Sequence, residues 1–121
     1  MQIRSIFLIL TLLIHFDSYG FKMEFECTNA QDNTKHTITW FKNYKIVNTL
    51  NSGSTFDYII TEENVSIIEG YFDMKKEKIT KRFRLKLDLK TLNMRDDMLI
   101  SKGNRKFKLV DRKLFSCISI N

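Results

Sequence analysis

Ile79-Thr80-Lys81-Arg82-Phe83-Arg84-Leu85-Lys86-Leu87-Asp88-Leu89 is the stretch on which the fold turns. Ile79, Phe83, Leu85, Leu87 and Leu89 fall on one face, and Arg82, Arg84, Lys86 and Asp88 fall on the other. That is a period of two, the mark of a strand with one face buried, where a helix would repeat every three to four residues. Upstream, Phe56, Tyr58 and Ile60 alternate with Thr55 and Asp57, and Val65–Phe72 follows a polar break at Glu62-Glu63-Asn64. Asn51-Ser52-Gly53-Ser54 is the clearest turn signal, and Asn43 marks a second turn between strands over 36–42 and 44–50. At 21–27, Phe21, Met23, Phe25 and Cys27 alternate with Lys22, Glu24 and Glu26. Downstream, strands are expected over 97–101, 105–110 and 113–119, with Lys102-Gly103-Asn104 as a turn. Only Asp73–Lys78 breaks the pattern and reads as a helical turn or a charged loop. Eight or nine short strands with polar turns predict an all-β fold, a small antiparallel barrel or sandwich.

The first 20 residues read differently. Arg4 precedes an apolar run from Ile6 to Phe16, and Ser18 and Gly20 stand at −3 and −1 of a cleavage after Gly20. A basic start, a short apolar middle and a small-x-small exit make a secretory signal. The run falls well short of the roughly 20 apolar residues that span a bilayer as a helix. Residues 1–20 are therefore assigned as a signal peptide and 21–121 as a single β domain, secreted or periplasmic, with no membrane span after cleavage. Removing 20 of 121 residues leaves 101, enough for one modest core.

Cys27 and Cys117 lie near the two ends of that domain. In an oxidising compartment an even cysteine count implies disulfides, and two cysteines allow one intramolecular pairing. Redox pairs are usually close in sequence, so this pair reads as structural. In a closed barrel the first and last strands lie side by side. A bond between them would staple the seam where the sheet could open as an edge.

The sequence is poorly provisioned for catalysis. His36 is the one histidine beyond the signal, in phase with Ile38 and Trp40, and a general base needs an oriented partner. Glu62-Glu63 and Asp96-Asp97 are expected in turns, with no sign of two carboxylates facing across a cleft. No zinc spacing, nucleophile elbow or phosphate loop is present, so no enzyme, metal or cofactor is expected. The aromatic set Phe25, Trp40, Phe41, Phe56, Tyr58 and Phe83 reads as core. The formal net charge is +6. Arg82, Arg84 and Lys86 project together from one strand and Lys106 and Lys108 from another, a candidate cationic patch for phosphates or sulfates. Few aromatics interleave with these cations, which argues against single-stranded nucleic acid as a partner.

Phe25-Glu26-Cys27, the short alternating strands and Phe115-Ser116-Cys117 resemble small exported β proteins of AT-rich marine bacteria, as does the segment Phe83–Met94. More distantly, Ser52-Gly53-Ser54-Thr55-Phe56 is similar to the Ser-Gly-x-x-Tyr loop of the periplasmic inhibitors of c-type lysozyme, with Phe for Tyr. That resemblance implies a β-barrel with a terminal disulfide and a loop at Ser52, Gly53 and Phe56 that enters a muramidase cleft. The family's second, lysine-containing loop has no counterpart here, because Lys102-Gly103 lies too far downstream.

The function expected from the sequence is that of an exported, monomeric binding module acting on a protein or an anionic surface, a polyanionic envelope component above all. A lysozyme inhibitor and a carrier of a small apolar ligand inside the barrel are the alternatives.

Overall fold

The computed structural model describes residues 21–120; the signal-peptide assignment of residues 1–20 lies outside them. Eight strands run in chain order: β1 (Lys22–Asn29), β2 (Lys35–Phe41), β3 (Lys45–Leu50), β4 (Thr55–Glu63), β5 (Ile67–Lys76), β6 (Ile79–Asp88), β7 (Asn93–Lys102) and β8 (Lys108–Ser119). Each pairs antiparallel with the next, and β1 pairs with β8, so the sheet closes into an up-and-down barrel. Closure leaves no free sheet edge. Among the described residues no helix is long and apolar enough to cross a membrane.

Cys27 lies directly opposite Cys117 in the β1–β8 ladder, with the Cα atoms 4.0 Å apart, and the two form a disulfide. The bond staples the seam between the first and last strands. It encloses 90 residues of sequence separation, which in the loop-entropy picture stabilises the fold by about 4–5 kcal/mol.

Alternation decides what lies inside. Phe25, Ile38, Ile46, Ile68, Leu85 and Phe115 are each at most 2% exposed and fill the barrel with Tyr58, Trp40, Leu87 and Met94. Tyr58 owes its place to Gly70. A Cβ on that glycine would meet the Ile59 carbonyl oxygen at 2.9 Å and the Tyr58 Cβ at 3.1 Å. The close approach falls beside an irregularity in the β4–β5 pairing between Ile60 and Glu62. Phe41 departs from the expected aromatic core. Its strand phase is opposite to that of Trp40, and it stays half-buried with its ring 6.4 Å from Tyr44.

Three boundaries differ from the sequence reading. Asp73–Lys78 is neither a helical turn nor a loop throughout, because β5 continues to Lys76 and turns tightly at Glu77-Lys78, with Glu77 at φ 57°. β7 begins at Asn93, and the segments expected at 105–110 and 113–119 merge into the single strand β8, irregular where Leu99 pairs with Leu109. Asp96 and Asp97 consequently lie in mid-strand and not in a turn.

The four odd-numbered connections (β1–β2, β3–β4, β5–β6, β7–β8) share one end of the barrel, here called the hairpin end. The chain's first and last described residues share the other with the remaining turns.

Candidate functional site

The five cations singled out from the sequence do not form one patch. Arg82 on the outer face of β6 is clamped by Asp73, with Nε to Oδ1 at 2.8 Å and Nη2 to Oδ2 at 3.0 Å. Its guanidinium is flanked by the Tyr71 and Phe107 rings at 4.5 and 4.3 Å. Arg84 turns to Asp97 at 3.5 Å, where Arg95 at 3.2 Å and Arg112 at 2.8 Å converge as well. The Asp97 side chain is wholly buried beneath these three arginines. Burial alone would raise its pKa, but the Arg112 hydrogen bond and the charges of Arg95 and Arg112 hold it below the ordinary value. Lys86 shares this outer face, opposite Glu69 of β5 and Arg95 of β7. Of the five, Arg82 and Arg84 are thus occupied with carboxylates of their own sheet.

Lys106 and Lys108 behave differently. Lys106 lies in the β7–β8 connection and Lys108 opens β8. With Lys102 and Arg105 they line a groove of about 330 Å³ whose apolar wall is Ile100 and Val110. The connection is held in shape by local hydrogen bonds: the Ser101 hydroxyl of β7 donates to the Arg105 carbonyl at 2.5 Å, and the Arg105 amide donates to the Lys102 carbonyl at 3.2 Å. The Gly103 amide donates to the Lys78 carbonyl at 2.7 Å, which fastens this tip to the tip of the β5–β6 hairpin.

That second tip carries Lys75, Lys76, Lys78 and Lys81. Residues 75–81 and 102–108 together hold eight cations against one carboxylate, Glu77, a formal +7. The whole chain nets +6, so everything outside the two tips nets −1. Among the described residues none of the eight forms an ion pair. The chain's positive charge is in effect mounted on two joined hairpin tips at one end of the barrel. Lys102, Arg105 and the β5–β6 lysines were not singled out from the sequence; only the lysine density of the two segments hinted at them.

Two cavities open into the barrel. At the end away from the hairpins, one of about 730 Å³ is lined by Phe21, Met23, Trp40, Leu89 and Leu92, with the Trp40 indole donating to Glu63 at 2.6 Å. At the hairpin end, one of about 510 Å³ is lined by His36, Asn48, Phe56, Tyr58, Phe72 and Asp96, among others. His36 packs at 4.9 Å on Phe115, and burial lowers its pKa. The Tyr58 hydroxyl reaches Asp96 at 3.4 Å, and burial pushes the Asp96 carboxyl up to about 7. Ser52 and Gly53 form the β3–β4 turn at this mouth, with Gly53 at φ 93°, a left-handed conformation that glycine adopts freely. Phe56 does not stand out from that turn; it lines the cavity and stacks on Phe72 at 5.3 Å.

Among the described residues no group of three or more His, Cys, Asp or Glu side chains is arranged to hold a metal ion. Comparison with protein-family models, curated proteins and solved structures finds no match to this chain.

Proposed function

We propose that the chain is an exported binding module, not an enzyme, that engages a polyanionic envelope component through its two cationic hairpin tips. The observation that carries this reading is the formal +7 on residues 75–81 and 102–108, unpaired and gathered at one end of the barrel. Lysines on turns adapt to irregularly spaced phosphates or sulfates, because each is a point charge on a flexible stem. The groove between Lys102, Arg105, Lys106 and Lys108 gives the polymer a place to lie, and the barrel beneath keeps the tips together. A disulfide at the seam is consistent with an oxidising, extracytoplasmic setting.

Inorganic polyphosphate is a suitable probe, titrated against the oxidised protein across a salt series. Neutralising about four anionic groups corresponds to an affinity loss of roughly 50-fold between 50 and 200 mM salt, by analogy with counterion release from nucleic acids. An affinity that does not change with ionic strength would overturn the proposal.

A further inference from the structure

We propose that the hairpin-end mouth of the barrel is a second, separate binding site for a small uncharged molecule with a flat apolar body and a hydrogen-donating head. The cavity of about 510 Å³ lies within the range of small-molecule sites. Its wall is aromatic: Phe72 stacks on Phe56 at 5.3 Å and on Phe83 at 4.8 Å, and meets the Tyr58 ring edge-on at 4.9 Å. Such rings present broad faces to a flat guest.

The polar end of the cavity selects the head group. Asn48 is 2% exposed; its Oδ1 and the buried Nδ1 of His36 form no well-aligned hydrogen bond, the two side chains meeting only in a weak contact with each other. Both residues line the cavity. A buried acceptor without a well-aligned donor is destabilising, so a guest that supplies a hydroxyl or amide N–H improves on what the empty protein has. Burial lowers the His36 pKa, which favours the neutral ring, one of whose nitrogens is an acceptor.

The lining also disfavours ions. Asp32, Lys35 and Lys113 line it together with Asp96, whose carboxyl burial pushes up to about 7, so the lining carries less than one net charge near neutral pH. An anionic head would be set beside Asp96, and a cation would have to approach past the +7 of the neighbouring tips. This site depends on the barrel interior and not on the tips, so it stands or falls apart from polyanion binding.

The test is calorimetric titration of the oxidised protein with 2-naphthol, naphthalene, 2-naphthoate and 2-naphthylmethylammonium. We expect 2-naphthol to bind about tenfold tighter than any of the other three, the ratio one relieved acceptor provides. Asn48→Leu should remove that advantage while naphthalene binding is kept. His36→Leu, at a less buried position, provides the same readout should Asn48→Leu not fold. Equal or tighter binding of naphthoate or the ammonium would overturn the head-group assignment and leave the cavity as a site. If none of the four binds, the site itself is refuted, with salt-dependent polyphosphate binding unaffected.

Discussion

Arg84 and Lys108 belong to the same barrel and were both read from the sequence as outward cations of one patch, yet they have opposite fates. Arg84 is one of three arginines from three adjacent strands turned toward the buried carboxylate of Asp97. Lys108 belongs to a group of four around an open groove with no carboxylate among them. The first arrangement uses positive charge to fasten β6, β7 and β8 on their outer face. The second leaves charge exposed and concentrated, where it repels itself unless a polyanion covers it. Charge that is paired within the sheet supports the fold; charge lifted onto hairpin tips is available to a partner.

The largest effect should come from what both regions share. Replacing Cys27 and Cys117 together with alanine should cost about 4–5 kcal/mol in denaturant unfolding and weaken the two regions together. A loss under 1 kcal/mol would mean that ladder pairing alone closes the seam. Next in size, Lys102→Gln, Arg105→Gln, Lys106→Gln and Lys108→Gln combined should lower polyphosphate affinity about 50-fold at low salt and leave Tm nearly unchanged. Arg84→Gln with Arg95→Gln should change affinity less than about threefold, since those side chains are committed to Asp97. Equal losses from the two sets would erase the distinction.

Asp97→Asn sharpens it from the other side. Removing the carboxylate should destabilise the barrel by about 2 kcal/mol, less than a fully buried pair would give because the arginines can turn to water. The same change should raise polyphosphate affinity a few-fold, because three guanidinium groups are released. Stability read by urea unfolding and affinity read by titration would then move in opposite directions.

The smallest effect concerns the neighbouring residue. Asp96 faces the interior, and its folded pKa of about 7 exceeds the ordinary 3.8. The folded state therefore holds a proton that the unfolded state has released, and its stability contribution, complete below pH ~4, is lost as pH rises through about 7. Asp97 has the opposite slope: its depressed pKa stabilises the fold above pH ~4 and is lost in acid. Asp96→Asn should flatten the decline between pH 4 and 8, stabilise the protein by about 1–2 kcal/mol at pH 8, and leave polyphosphate binding alone. An unaltered pH profile would remove Asp96 from the buried, proton-holding role.

Fold class was legible because alternation is local. Ile79–Leu89 declares its inner and outer faces without reference to any other strand, and the cysteines at the two ends announced the seam. The candidate site was less legible because it depends on which strands become neighbours. Asp96-Asp97 looks like a turn dipeptide; its burial depends on Arg84 and Arg112, contributed by the flanking strands β6 and β8. Asp73–Lys78 lacks apolar alternation because the β5–β6 hairpin tip is exposed, so its charge reads as a loop. The joining of residues 75–81 to 102–108 hangs on a backbone bond from Gly103 to Lys78, which no side-chain pattern encodes. His36 and Asn48 each look ordinary alone, and only closure of the barrel places their poorly paired atoms in one cavity.

Polyanion binding at the tips is read out residue by residue in a polyphosphate titration followed by amide chemical shifts in the oxidised protein. The largest shifts should fall on residues 75–81 and 102–108, while the amides of Arg84, Arg95 and Arg112 barely move. Shifts centred on the outer face of β6–β8, or spread evenly over the barrel, would contradict it.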